Sequence, residues 1–149
     1  MTRMHFSVTI NAPREKAWNA MLSDDSYRKW TEVFGPGSHF RGNWETGSKI
    51  LFLAPGEEGE MGMISRIRKN CPFEFISIEH VGMVRNGEED TSSEEVKSWA
   101  GALEEYTFRE INGVTEVLID VDTVDEYREM FESMWPKALE KLKDLAEAA

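Results

Sequence analysis

Few side chains in this sequence could do chemistry, and most stand too far apart to act together. The histidines are His5, His39 and His80, and they fall on different predicted strands or loops. No HxxxH or HExxH pair occurs, and Cys71 is the single cysteine. A zinc site needs three or four converging ligands, so no metal or cofactor is expected. No GxSxG elbow and no glycine-rich phosphate loop occurs either. What remains is one polar group. In the run FEFISIEHVG, Ile78 and His80 share a strand face, and an imidazole on an inward face could orient a ligand or transfer a proton. Glu104, Tyr106 and Phe108 alternate in the same way, so a carboxyl and a phenol would join the imidazole inside if both faces turn inward. The pairs Asp120/Asp122 and Glu104/Glu105 offer further carboxylates for acid–base work.

These groups must be held by strands and covered by helices. Met4, Phe6, Val8 and Ile10 alternate with polar residues, which predicts a half-buried strand. Asn11 could cap a helix over 13–22, with Ala17, Trp18, Met21 and Leu22 on one face. A second helix is expected over 25–33, carrying Tyr27 and Trp30, with Phe34 just beyond and Gly35-Pro36-Gly37 as a stop. Six strands should follow, at 38–42, 47–54, 60–69, 73–84, 99–110 and 114–122. Asn112-Gly113 is a strong hairpin signal between the last two. Residues 85–98 interrupt the meander with five acids before Lys97, which reads as an acidic loop, either a solvated excursion between strands or a lid or partner contact.

The last segment, 124–147, has Tyr127, Phe131, Met134, Ala138, Leu142 and Leu145 at helical spacing. Thr123 and Glu126 fit a capping box, and Pro136 predicts a kink near 132–136. The order β-α-α-β6-α makes one α+β domain over 1–149. Its curved antiparallel sheet would wrap a long C-terminal helix, with a cavity between them.

The bulk numbers narrow the partners. The chain has 149 residues with 17 Lys plus Arg against 28 Asp plus Glu, a formal charge of −11. That field repels nucleic acid and anionic membrane surfaces. No run of 18 apolar residues occurs, and a lone cysteine suits a reducing cytoplasm. Five Trp, eight Phe, three Tyr and eight Met are generous for this length, and they suit a pocket for a planar apolar molecule. The residues expected to line it are Trp30, Phe34, Phe40, Trp44, Phe52, Met63, Ile78, His80, Glu104, Tyr106, Phe108, Val117, Ile119, Phe131, Met134 and Trp135.

Particular residues add a resemblance. Asn11-Ala12-Pro13-Arg14-Glu15-Lys16-Ala17-Trp18 follows the first strand, and Tyr27-Arg28-Lys29-Trp30 precedes Phe34-Gly35-Pro36-Gly37. Trp44-Glu45-x-Gly47-Ser48 leads into a strand, and Trp135 to Leu142 reads WPKALEKL in the final helix. In this order they resemble the helix-grip superfamily of START lipid-transfer domains and Bet v 1-like proteins. The bacterial branch similar to the C-terminal domain of the heat-shock-protein-90 ATPase activator fits best. The resemblance implies a helix-grip fold and an apolar or aromatic small molecule between sheet and helix. Activities in the superfamily run from lipid carriage to polyketide aromatisation and cyclisation, with no shared catalytic set. It also implies a chaperone or other protein as an alternative partner, and a monomer or weak homodimer. A cyclase- or hydrolase-type enzyme using His80, Tyr106 or Glu104 is a third reading. The residues specify a container more clearly than a catalyst.

Overall fold

The computed structural model describes all residues from Met1 to Ala149. Strand β1 (Thr2–Ile10) leads into helices α1 (Arg14–Leu22) and α2 (Asp24–Trp30) and a 3-10 turn (Glu32–Phe34). Then come β2 (His39–Gly42), β3 (Lys49–Gly56), β4 (Gly59–Cys71), β5 (Phe75–Arg85), β6 (Glu88–Asp90) and the one-turn helix α3 (Glu94–Lys97). Strands β7 (Ala102–Ile111) and β8 (Val114–Thr123), a second 3-10 turn (Asp125–Tyr127) and helix α4 (Arg128–Ala148) complete the chain. No helix is long and apolar enough to cross a membrane.

All eight strands form one curved antiparallel sheet in the order β1-β8-β7-β5-β4-β3-β2, with β6 paired to β5. The expected α+β order is therefore present, with one strand more than predicted. Residues 85–98 are not simply a loop. Asn86 (φ 54°) and Gly87 (φ 77°) make a two-residue turn between Arg85 and Glu88, and β6 folds back on β5. Positive φ at both central positions matches the right-handed twist of a hairpin.

The two faces of the sheet differ. Alternation sends Phe6 and Val8 of β1, Tyr106 and Phe108 of β7, and Val117 and Ile119 of β8 to the concave face, where α4 and α1 cover them. Helix α4 packs on β1, α1, α2 and the first 3-10 turn. Its buried residues are Trp135, Ala138, Leu139, Leu142 and Ala146. The convex face carries a smaller cluster, Leu53, Ile64 and Val84. The β6–α3 insert crosses that face at Gly82, where any Cβ would meet the Asp90 carbonyl oxygen at 2.6 Å.

Helix ends depart from expectation. Pro13, not Asn11, stands at the N-cap of α1, and the Asn11 amide donates instead to Glu147 Oε2 at 2.8 Å. The Thr123–Glu126 capping box does not form, because Thr123 is still paired in β8 and its hydroxyl donates to the Val124 carbonyl. Tyr127 lies before α4 and is exposed, so the apolar stripe begins at Phe131. Helix α4 runs without a break through Pro136, where the sequence predicts a kink.

Candidate functional site

The polar residues singled out above meet on the concave face. Adjacent strands β4, β5 and β7 each contribute. Ser65 Oγ lies 2.7 Å from His80 Nδ1, and His80 Nε2 lies 3.1 Å from Glu104 Oε1. The Tyr106 hydroxyl donates to Glu104 Oε2. The four side chains form one continuous chain of hydrogen bonds. Ser65 is fully buried, while the His80 and Glu104 side chains keep 10% and 19% exposure, so the carboxylate end is the reachable one.

The protonation pattern follows from geometry. A carboxylate only accepts, so Nε2 presents a proton to Glu104, and in the neutral ring Nδ1 is the acceptor for the Ser65 hydroxyl. Burial, and then the nearby Glu104 carboxylate, holds the Tyr106 phenol well above the ordinary tyrosine range, which keeps it a donor. Tyr27 is raised in the same way by burial and by Glu104.

Aromatic side chains surround this chain. The Tyr27 ring lies 5.1 Å from Phe40, 5.5 Å from Trp30, 6.0 Å from Phe52 and 6.2 Å from Trp44. Phe52 packs edge-on to the His80 ring at 6.3 Å. Trp135 of α4 stacks on Phe6 and contacts Trp30, Phe34 and Tyr106. Two indoles are tied to the backbone: Trp30 Nε1 donates to the Met21 carbonyl at 2.9 Å and Trp44 Nε1 to the Leu22 carbonyl at 3.0 Å. They satisfy carbonyls that the end of α1 would otherwise leave unpaired. Trp135 Nε1 is buried with no partner.

The predicted lining thus divides. Trp30, Ile78, His80, Tyr106, Ile119 and Trp135 are buried around the polar chain. Phe34, Phe40, Trp44, Phe52, Met63, Glu104, Phe131 and Met134 are half-buried. Phe108 and Val117 sit elsewhere, under α1, where the Phe108 ring is 5.1 Å from Trp18. Sequence reasoning missed Ser65 and placed Tyr27 only as a helix-face residue. Nothing local marks a serine in a strand as the partner of a histidine 15 residues later.

Two depressions lie on the outer surface. One of about 530 Å³ is lined by Asp25, Arg28, Lys29, Glu32, Gly37 and Ser38 and has no apolar wall. A second, about 280 Å³, lies between α1 and the C-terminal end of α4. The other histidines stay apart: His5 pairs with Asp120 at 2.5 Å, and His39 lies 3.3 Å from Glu60. No cluster of three His, Cys, Asp or Glu is placed to hold a metal ion.

A family model described as Activator of Hsp90 ATPase homolog 1-like protein matches residues 11–147. No curated protein matches the sequence. Among solved structures, the Aha1 dimer from Colwellia psychrerythraea is 20% identical at a TM-score of 0.69, over 99% of this chain and 97% of that one. A structural-genomics protein from Nitrosomonas europaea gives a TM-score of 0.73 at 11% identity, over 98% and 94%. A protein from the dynemicin biosynthetic locus gives 0.67 at 12% identity, over 97% of this chain and 47% of that one. At these identities the likeness is one of fold.

Proposed function

Because the chain belongs to the Activator of Hsp90 ATPase homolog 1-like family, we propose that it is a binding domain that takes up a small apolar or aromatic molecule between the concave sheet face and α4. His80, Glu104 and Tyr106 would orient the polar end of that molecule. The observation that carries this reading is the Ser65–His80–Glu104–Tyr106 chain: a satisfied polar group, open at Glu104, set among aromatic rings. An apolar site with a few convergent polar groups is the usual form of a small-molecule site.

The same arrangement argues against a serine nucleophile at Ser65. A serine nucleophile must be reachable by substrate, and Ser65 is fully buried behind the imidazole. Native mass spectrometry of the purified protein tests the binding role directly. The expected result is a co-purifying molecule of low mass that leaves on mild unfolding. Protein of bare sequence mass, which also fails to bind added aromatic molecules, would remove this reading.

A second reading, a contact with a chaperone, is favoured by the family and by the ordered acidic insert. Lys49 pairs with Glu89 at 2.8 Å and Arg85 with Glu95 at 2.6 Å, which fixes an otherwise acidic surface. Such a surface would meet a basic patch on the partner. An ATPase assay with the host's Hsp90-type chaperone tests it, and turnover unchanged at saturating protein would exclude it.

A further inference from the structure

We propose that this site selects molecules bearing a hydroxyl group, which donates to Glu104, and excludes carboxylates. The inference deepens the binding role above and rests on it. Four observations lead to it.

The first is the direction of the hydrogen bonds. Two groups meet Glu104 as donors, the Tyr106 hydroxyl and, facing a carboxylate, the His80 Nε2–H. A carboxylate offers about four lone-pair positions, and two are used here. The remaining ones accept, so the group that meets them must donate. The second is exposure. Among the four residues the Glu104 side chain is the most open, at 19% against 10% for His80, so a ligand meets the acceptor end first.

The third is the absence of a cation beside it. On β5, β7 and β8 the concave-face residues are Ile76, Ile78 and His80, then Glu104, Tyr106 and Phe108, then Val117, Ile119 and Val121. None is Lys or Arg. The nearby Arg3 points to the other face, where it pairs with Glu105 at 2.6 Å and Asp122 at 3.1 Å. A ligand carboxylate would find no Lys or Arg there and would face Glu104 in a setting of reduced dielectric. The protein's formal charge of −11 adds to that repulsion.

The fourth is Trp135. Its Nε1–H is unpartnered at 3% residue exposure, while the indoles of Trp30 and Trp44 both reach a carbonyl. Tyr106 reaches both: its hydroxyl donates to Glu104, and its ring centroid lies 6.3 Å from that of Trp135. A buried donor without an acceptor is costly, and an oxygen on the ligand would relieve it. A hydroxyl has both a hydrogen to give and an oxygen to receive. An ammonium group lacks the acceptor, and a carboxylate lacks the donor.

Isothermal titration at neutral pH with 2-naphthol, 2-naphthoate and naphthalene tests the inference on the wild-type protein. The expected result is 2-naphthol binding at least about tenfold more tightly than 2-naphthoate, a difference of one decade in Kd. In Glu104→Gln, which keeps the shape and removes the charge, that ratio should fall toward one. In Trp135→Phe the 2-naphthol affinity should drop while that of naphthalene holds. Should Glu104→Gln fail to fold, the wild-type ratio and Trp135→Phe still decide the matter. Equal or tighter binding of 2-naphthoate by wild type overturns the selectivity and leaves the binding role standing. Failure of all three molecules, naphthalene included, to bind overturns both.

Discussion

Ser65 faces His80 across the β4–β5 pair because β5 carries one extra residue, Val81, at that point: Ile64 pairs with Gly82, and the next pair is Ser65 with His80. A compensating extra residue, Arg68, sits in β4 between the pairs Ile67–Ile78 and Lys69–Ser77. Paired bulges of this kind re-aim side chains locally and then restore the alternation. The stretch between them is where the polar chain is built.

That geometry predicts coupling between the two residues. Ser65→Ala and His80→Ala should each destabilise by about 1–3 kcal/mol, since each leaves a buried polar atom unpaired. The double variant should cost less than their sum by about 1 kcal/mol, read from urea unfolding of all four proteins. Additive effects within about 0.3 kcal/mol would mean that the contact is not energetically real.

The buried phenols predict an alkaline limit. Tyr27 and Tyr106 are held well above the ordinary value of about 10, mainly by burial and then by Glu104. Above that pH the unfolded chain loses these protons while the folded protein keeps them. Stability is therefore complete below about pH 10 and declines as pH rises toward the folded values, by up to about 1.4 kcal/mol per pH unit for each phenol. Of the three tyrosines, Tyr127 alone is exposed, though a hydrogen bond to Glu126 raises it too. Absorbance near 295 nm should show one phenol titrating before the protein unfolds. Tyr106→Phe should flatten the decline by about half.

Two glycines should respond very differently to alanine. At Gly62 (φ 156°) a Cβ would lie 1.8 Å from the Phe52 carbonyl oxygen, so β3 and β4 cannot keep their spacing. Gly62→Ala should cost about 3 kcal/mol or more. Gly47 (φ 88°) has open space around it, so Gly47→Ala should cost only the conformational strain, about 1–2 kcal/mol. Thermal melts of the two variants give the comparison. Equal shifts in Tm would contradict the assignment.

The β6–α3 insert is anchored by Val96, which is fully buried while its acidic neighbours are exposed. Val96→Asp places a charge at a fully buried position, so the insert should detach from β5. Amide exchange should quicken across 86–101 while the concave face stays protected. Uniform loss of protection over the whole sheet would show the insert to be part of the core.

Much of this fold was legible from residue patterns. Period-two alternation in β1, β7 and β8 and helical spacing from Phe131 to Leu145 are direct records of which face is buried. The convergence of His80, Glu104 and Tyr106 followed from face assignment alone. Three things were not legible. Strand β6 is Glu88-Glu89-Asp90, which has no strand propensity, and it forms because Asn86-Gly87 turns the chain back; that dipeptide was the available signal. Ser65 depended on a bulge, which leaves no mark in composition. The caps at Asn11 and Thr123 were displaced by tertiary bonds, to Glu147 and to the β1–β8 ladder, that outweigh local preference.

The pairing of β1 with β8 has a consequence for how the molecule is made. Thr2 meets Thr123 and Ile10 meets Thr115, so the ladder joins residues 105 to 121 positions apart. Contacts of such high order form late, because the loop they close is long. During synthesis Phe6, Val8 and Ile10 must wait, unpaired, until β8 has left the ribosome, while β3, β4 and β5 can already form hairpins. Between the synthesis of β1 and that of β8 the nascent chain therefore carries an unpaired apolar strand, and its yield in a cell will depend on what shields that strand.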